Sequence, residues 1–205
     1  MDENKIAGEI LLRLERSQKP IVCNVSNRHM HITKKHVEKL FGHGYRLKKL
    51  RDLLQPGEFA AKETLTLVGP RGRLEKIRVL GPIRENTQIE VSRTDCYTLG
   101  IDAPVRDSGN VTGTPGGRLI GPRGSVRLSR GIIVAQRHIH MTPGDASVFK
   151  VKNKQKVRVR TRPPRAIILE DMLVRVNEDY CLECHIDTDE ANACDLKNGD
   201  EVFLS

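Results

Sequence analysis

Apolar residues near the N-terminus recur at helical spacing and are separated by charged residues. This pattern predicts an amphipathic helix over residues 3–16. The helix should end before Pro20, because the residue that precedes a proline is biased away from helical backbone angles. The residues that form the apolar face are Ile6, Ile10, Leu11 and Leu14.

Beyond this helix the chain consists mostly of short alternating or apolar runs that are separated by glycine and proline. Short strands with this punctuation are typical of small barrels rather than of a parallel sheet. The sequence therefore predicts a mainly β fold. The predicted strands cover residues 21–26, 64–68, 77–80, 89–92, 157–160 and 173–176.

One segment of the sequence occurs twice. The run from Asn27 to Thr33 reads NRHMHIT, and the run from Gln136 to Thr142 reads QRHIHMT. Each copy follows an apolar strand and precedes a helical pattern. Thr142 has the features of a helix start, because Pro143 follows it directly and Asp145 stands three positions after it. Thr33 occupies the same place in the first copy. The repeat predicts two related strand-to-helix units.

The histidines of the repeat suggest metal binding. Side chains two residues apart in a strand point the same way, so His29 and His31 share a face, and so do His138 and His140. Imidazole suits zinc, copper, iron or nickel, and three protein ligands with an open position are typical of catalytic zinc. The third ligands must come from elsewhere in the chain. His185 is one candidate, and an acidic residue in a β-rich stretch is another, although periodicity does not distinguish between the acidic residues there.

Composition narrows the classes of partner. The 205 residues include 35 Lys and Arg against 26 Asp and Glu, which gives a net charge of +9 and favours anionic ligands. Aromatic residues make up 3% and Trp is absent, which disfavours a stacking platform for single-stranded nucleic acid. The odd count of five cysteines suits a reducing compartment. No apolar run reaches 18 residues and no signal-peptide pattern is present, so we expect a soluble globular protein.

The segment Cys181-Leu182-Glu183-Cys184-His185 matches the attachment sequence of a c-type haem. Haem attachment requires an oxidising export compartment, and the sequence shows no export signal. A structural zinc site is also disfavoured, because the chain has no second Cys-x-x-Cys pair. In a strand, Cys184 would point away from His185, so we interpret the two cysteines as packed or half-exposed thiols.

At these motifs the chain resembles the phosphate propanoyltransferases of the propanediol-utilisation type, from about residue 20 to about residue 195. Besides the two histidine repeats, the resemblance includes an acidic motif around Glu90 and the run from His185 to Asn192. The motifs that carry it are residues 25–31, 54–57, 80–84, 88–95, 108–110, 136–141 and 185–192.

The resemblance implies two β-barrels capped by short α-helices, with the amphipathic helix of residues 1–17 at the N-terminus. The first barrel would comprise residues 18–27 and 136–205, and the second residues 28–135. It also implies a homodimer in the cytoplasm or inside a bacterial microcompartment, with residues 1–17 docking to shell proteins. Neither nucleic acid nor a membrane is an expected partner. The alternative for the N-terminal helix is that it packs on its own barrel.

The resemblance also implies two zinc ions per chain and assigns roles to individual residues. His29, His31 and Glu90 would hold one zinc, which the sulfur of coenzyme A can approach. His138, His140 and His185 would hold the other, and Arg84 would bind phosphate. The residues expected to line the coenzyme A site are Ser26, Arg51, Arg78, Leu80, His185 and Asn192.

The implied reaction converts a short-chain acyl-coenzyme A, such as propanoyl- or acetyl-coenzyme A, and inorganic phosphate to acyl phosphate and coenzyme A. We expect it to be reversible and to proceed by direct transfer. A cysteine nucleophile would require a base beside Cys96 or Cys184, and the spacing of the chain offers none. Two other functions stay open on the residues alone: a two-zinc hydrolase, and a basic barrel that binds nucleic acid and holds structural zinc.

Overall fold

Short strands and short helices alternate along the chain in the computed structural model, which describes residues 3–205. The predicted mainly β fold is confirmed. The five helices described are α1 (Glu3–Ser17), α2 (Lys34–Phe41), α3 (Arg93–Leu99), α4 (Pro143–Val148) and α5 (Thr188–Cys194). The strands are β1 (Pro20–Ser26), β2 (His29–His31), β3 (Lys49–Asp52), β4 (Phe59–Val68), β5 (Arg73–Gly81), β6 (Gln88–Glu90), β7 (Val105–Arg106), β8 (Gly117–Gly121), β9 (Gly124–Leu128), β10 (Ile132–Ala135), β11 (His138–Met141), β12 (Lys156–Arg160), β13 (Ile168–Val176), β14 (Glu183–Asp187) and β15 (Glu201–Leu204).

The chain forms two compact units, one from the residues up to Ser26 together with Arg137–Ser205, and the other from Asn27–Gln136. In the first unit six strands close into a barrel in the order β1-β14-β11-β13-β12-β15. Its interior is filled by apolar side chains such as Ile21, Ile139 and Val174, which are fully buried. The six strands supply alternating inward side chains, and α4 and α5 add Ala146 and Ala191 to the same core.

In the second unit nine strands form one sheet, which follows the order β7-β10-β6-β2-β5-β4-β8-β9 with β3 paired to β4. Its core includes Met30, Ile89 and Ile132 from neighbouring strands and Leu40 from α2. The first unit is therefore a closed barrel, whereas the strands of the second unit form a sheet with two ends.

Each unit contains five neighbouring strands, and the sequence of parallel and antiparallel pairs is the same in both units. In the barrel the order β1-β14-β11-β13-β12 is joined by parallel, antiparallel, parallel and antiparallel pairs. In the sheet the order β10-β6-β2-β5-β4 has the same sequence of pairings. The strand that precedes each histidine repeat belongs to the opposite unit: β1 precedes β2 in sequence but lies in the barrel, and β10 precedes β11 but lies in the sheet.

Most predicted elements are confirmed, and one strand boundary was wrong. The prediction extended a strand over residues 89–92, whereas β6 ends at Glu90. Ser92 instead accepts a hydrogen bond from the backbone N–H of Asp95 and begins α3, so the helix cap overrides the alternating pattern. The predicted helix starts at Thr33 and Thr142 are confirmed, because both side chains accept from the backbone three residues later.

The predicted N-terminal helix is confirmed as α1, which ends at Ser17 before Pro20. The four side chains of its predicted apolar face are exposed, with exposed fractions of 40% for Ile6 and 61% for Leu11. Near the end of the helix Arg16 donates to the carbonyl of Lys150. Over residues 3–205, no helix has both the length and the apolar composition that a membrane crossing requires.

Candidate metal centres

The first candidate centre lies on two neighbouring strands of the sheet. β2 and β6 run antiparallel, and their register places Glu90 directly opposite His29. Because side chains of a strand alternate between its faces, His31 shares the face of His29. One donor atom from each of these three residues lies within 4.8 Å of the other two. The pleat and the register therefore assemble two imidazoles and one carboxylate, all of them buried.

The distance between two of the donor atoms matches the spacing of two ligands on one zinc. His29 Nε2 lies 3.4 Å from Glu90 Oε2, which is longer than an ordinary hydrogen bond. Two ligands bound to one zinc at about 2.1 Å with a tetrahedral angle stand about 3.4 Å apart. His29 Nδ1 lies 2.8 Å from the carbonyl oxygen of Asn27, so Nδ1 donates and Nε2 keeps its lone pair on the side of Glu90.

His31 is fully consistent with a metal ligand. Its Nδ1 atom is buried and has no hydrogen-bond partner, which is costly for a polar atom unless a ligand occupies the position. Burial, followed by electrostatic interactions with His29 and Arg84, lowers the pKa of His31 to about 3. The imidazole is therefore neutral at physiological pH, which is the state that binds metal.

The carboxylate of Glu90 is oriented by side chains that sequence reasoning did not single out. Glu90 Oε1 accepts from Gln88 Nε2 at 2.7 Å and from Ser108 Oγ at 3.1 Å. Gln88 is itself fixed, because its Oε1 accepts from the backbone N–H of Gly109. These bonds hold one oxygen and leave Oε2 facing His29. Gln88 and Ser108 fall within the motifs of the family resemblance, but only the strand register shows what they contact.

The second candidate centre is built in the same way in the barrel. β11 and β14 run antiparallel, with His138 opposite His185. The ring centroids of these two residues and of His140 lie 4.7–4.9 Å from one another. Both ring nitrogens of His140 are buried without a hydrogen-bond partner. Burial, followed by electrostatic interactions with His138 and His185, lowers the pKa of His140 to about 2, so it too is neutral.

Two further residues surround the three imidazoles. Glu183 is 2% exposed, and its Oε2 lies 2.9 Å from His185 Nε2. Its other oxygen accepts from Asn24 Nδ2 at 2.8 Å. Tyr180 stacks on His140, with ring centroids 4.3 Å apart and an angle of 19° between the planes. In the sequence Glu183 stands out only as part of a cysteine motif, because its position opposite His140 depends on a strand register that the local pattern does not reveal.

All four strands that carry candidate ligands lead into a helix whose cap stands two residues after the ligand. The four ligand and cap pairs are His31 with Thr33, Glu90 with Ser92, His140 with Thr142, and His185 with Asp187. The arginine that directly precedes the first histidine of each repeat contacts the helix that follows the third ligand. Arg28 lies 2.8 Å from Asp95 of α3, and Arg137 lies 3.1 Å from Glu190 of α5. A cap therefore fixes the end of each ligand strand, and in each unit one ion pair links the start of the repeat strand to the helix after the third ligand.

Arg84, the predicted phosphate ligand, lies after β5 and pairs with Glu58 at 2.7 Å. Its backbone N–H donates to the carbonyl of Ile32, next to His31. The residues predicted for coenzyme A are distributed over both units. Arg78 lies opposite His29 on β5, and its side chain donates to the carbonyls of Ala61 and Lys62. The others are Arg51 on β3, Leu80 on β5, Ser26 at the end of β1, His185 on β14 and Asn192 in α5.

Four of the five cysteines, Cys23, Cys96, Cys184 and Cys194, lie in the apolar cores, and Cys181 is half-buried. Cys184 belongs to the barrel core and is the neighbour of Cys23 in the pairing of β14 with β1. A hydrogen bond with Cys23, together with complete burial, raises the pKa of Cys184 well above its ordinary value. Burial also raises the pKa of Cys96. Both thiols are therefore protonated at neutral pH.

Comparison with known proteins assigns the family. Residues 22–197 match the family model for phosphate propanoyltransferase. A phosphate propanoyltransferase of Thermotoga maritima is 51% identical over 94% of this chain and 92% of the relative. Those of Salmonella typhimurium and Enterococcus faecalis are 49% and 46% identical, covering 90% and 98% of this chain and 88% and 96% of the relatives. The resemblance inferred from the motifs is confirmed, and the chain belongs to the phosphate propanoyltransferase family.

Proposed function

We propose that this protein transfers a short acyl group, propanoyl or acetyl, between coenzyme A and inorganic phosphate, with two zinc ions per chain. The observation that carries the proposal is the pair of three-residue clusters, each built from a histidine repeat and one residue of an antiparallel neighbour. The names of the relatives support the reaction class. The donor sets of the two clusters support the metal, because nitrogen and carboxylate ligands are those that catalytic zinc uses.

His29, His31 and Glu90 would hold one zinc, and His138, His140 and His185 the other. When bound, zinc supplies Lewis acidity for the negative charge that develops on the carbonyl oxygen and on the leaving sulfur. The residues around the ligands set the orientation of the carboxylate and the tautomer of the imidazole. Gln88 and Ser108 orient Glu90, and the carbonyl of Asn27 fixes the tautomer of His29.

Arg84 would bind the attacking phosphate. A guanidinium group binds two phosphate oxygens with parallel hydrogen bonds, which a lysine does not reproduce. Two contacts support this role: the backbone of Arg84 is bonded next to His31, and Glu58 holds its Nη2 atom. The Arg84 side chain is 34% exposed, so phosphate can reach it from solvent.

The reaction would proceed in one transfer step. A phosphate oxygen attacks the carbonyl carbon of the thioester, the carbon–sulfur bond breaks, and coenzyme A leaves as the thiolate; the reverse reaction follows the same path. Holding both substrates side by side replaces a bimolecular encounter. A covalent intermediate on Cys96 or Cys184 is opposed by the raised pKa of both thiols, because the thiolate is the nucleophile.

Coenzyme A would be bound by Ser26, Arg51, Arg78, Leu80, His185 and Asn192, with the two arginines suited to its phosphates. We also propose that the protein forms a homodimer and that residues 1–17 dock to the shell proteins of a bacterial microcompartment. The apolar face of α1 supports the docking role, because the side chains of Ile6, Ile10, Leu11 and Leu14 are 40–61% exposed.

The proposal is tested by measuring products and metal together. The purified protein should convert propanoyl- or acetyl-coenzyme A to acyl phosphate only when phosphate is present, and it should contain about two zinc ions per chain. Release of free acid without phosphate would instead show a hydrolase. A butanoyl substrate measures the tolerance for chain length.

Glu90→Gln is the informative variant, because it replaces an anionic ligand with a neutral amide. Metal content should fall from about two toward about one per chain, since the three-histidine cluster stays complete, and turnover should fall with it. Glu63→Gln is the matched control, because Glu63 is a buried carboxylate of the same unit that bonds Tyr45 and no candidate ligand. Full metal and full turnover in Glu90→Gln would remove Glu90 from the site.

A further inference from the structure

The two candidate centres differ in where their carboxylate stands. In the sheet, the residue opposite the first histidine is Glu90 and the residue opposite the second is Gln88. In the barrel, the corresponding residues are His185 and Glu183. The acidic residue thus moves from the ligand position to the position two residues earlier. Each centre keeps one buried carboxylate, although only the first uses it as a candidate ligand.

Glu183 is a buried group that the proposed reaction does not otherwise use. Its side chain is 2% exposed, and a carboxylate at that depth is costly unless it is paired and hydrogen-bonded. Asn24 donates to one oxygen, and His185 Nε2 lies 2.9 Å from the other. A carboxylate accepts hydrogen bonds, so the proton of His185 is held on Nε2 and the lone pair remains on Nδ1.

We propose that Glu183 is the positioning residue of the three-histidine centre: it fixes the tautomer and ring orientation of His185 and places a negative charge beside that ligand. A histidine ligand that donates its second nitrogen to a carboxylate is a more basic and better oriented ligand. This inference rests on the metal centres of the proposed function, and it goes beyond them by assigning a role to a residue outside the ligand set.

The same geometry explains why the sheet has no equivalent carboxylate at Gln88. Its centre already has an anionic candidate ligand, and Gln88 donates to it at 2.7 Å. A glutamate at position 88 would place two carboxylates within hydrogen-bond distance of each other, which raises the pKa of one of them. In the barrel none of the three candidate ligands is a carboxylate, so a carboxylate beside them meets no like charge from a ligand.

The test is the zinc affinity of Glu183→Gln, measured on the full-length protein by competition with a chromophoric chelator. The substitution is nearly isosteric. If the amide nitrogen faces His185 Nε2, it donates and reverses the tautomer; if the amide oxygen faces it, only the negative charge is lost. In either case one of the two sites should bind zinc about 10–100-fold more weakly. It should be the site that Glu90→Gln leaves intact.

Controls separate this role from a structural one. Glu63→Gln also removes a buried carboxylate and should leave both zinc affinities unchanged. Glu183→Asp keeps the charge but shortens the side chain, so its affinity should lie between those of the wild type and Glu183→Gln. Wild-type affinity at both sites in Glu183→Gln overturns the inference. If that variant does not fold, wild-type affinity in Glu183→Asp overturns it. A wild-type protein that binds no zinc refutes the proposed function instead.

Discussion

The ion pair between Arg28 and Asp95 should stabilise the first centre measurably. Arg28 immediately precedes His29, and Asp95 lies in the first turn of α3, just after Glu90 and Ser92. Its Oδ1 atom lies 2.8 Å from the guanidinium, while Oδ2 accepts from the backbone N–H of Ser92. The pair therefore connects the strand of two candidate ligands to the helix that follows the third.

The magnitude follows from the unequal burial of the two partners. The Asp95 side chain is 3% exposed and that of Arg28 is 37% exposed. Breaking a fully buried pair costs about 3–5 kcal/mol, whereas an exposed pair contributes about 0–1 kcal/mol. Arg28→Met also removes Nε, which is buried without a hydrogen-bond partner, and this recovers part of the loss. We therefore expect the free energy of unfolding to fall by about 2 kcal/mol, between these limits.

The assay is a double-mutant cycle on the metal-free protein with Arg28→Met, Asp95→Asn and the double variant, using urea unfolding. The coupling energy should be about 1–3 kcal/mol, the range for residues in contact. Raising the salt concentration should change it little, because buried pairs are screened less than exposed ones. Zinc affinity of the first centre should also fall in Arg28→Met.

Arg137 and Glu190 provide the matched comparison in the barrel. Their side chains are 29% and 23% exposed, so Glu190 is less buried than Asp95. Arg137→Met should therefore cost less than Arg28→Met and affect the second centre instead of the first. A coupling energy of Arg28 with Asp95 below about 0.5 kcal/mol, which is the scatter of additive pairs, would refute the reasoning.

Three further predictions concern other parts of the chain. Arg84→Lys should raise the KM for phosphate far more than that for acyl-coenzyme A, because an ammonium cannot bind two oxygens in parallel; unchanged phosphate kinetics would remove Arg84 from the site. Deletion of residues 1–18 should leave turnover intact and abolish co-assembly with shell proteins, whereas insoluble or inactive protein would show that α1 is needed for the fold. Cys184→Ser should change neither metal content nor turnover, because the thiol lies in the barrel core; loss of one metal ion would show that the thiol is a ligand.

Much of the architecture could be predicted from local pattern. The helix starts at Thr33 and Thr142 are set by capping within a few residues, and the shared face of His29 and His31 follows from the pleat alone. The boundary of β6 was misplaced because alternation continues through Val91 and Ser92, although the hydrogen bonds of Ser92 belong to a helix. The same residue can continue a strand or cap the following helix, and periodicity alone does not show which of the two it does.

Contacts between distant segments could not be predicted in this way. Asn24 donates to Glu183 across 159 positions of sequence because β1 lies beside β14 in the barrel, although the next strand in the chain, β2, belongs to the sheet. Neither segment carries a local signal for the other. The roles of Glu183, Gln88 and Ser108 depend on such pairings, and so these residues became visible only in the structure.

Glu90 in the first centre and His185 in the second occupy equivalent positions, opposite the first histidine of each repeat. This difference between a carboxylate and an imidazole should give the two centres different chemistry. With zinc bound as proposed, the carboxylate of Glu90 would neutralise part of the metal charge directly, whereas the three neutral imidazoles of the second centre would leave that charge undiminished. Glu183 acts only through His185, so its charge is more distant from the metal. The three-histidine centre should therefore be the stronger Lewis acid for an anionic oxygen, and the centre with Glu90 should release a bound thiolate more readily.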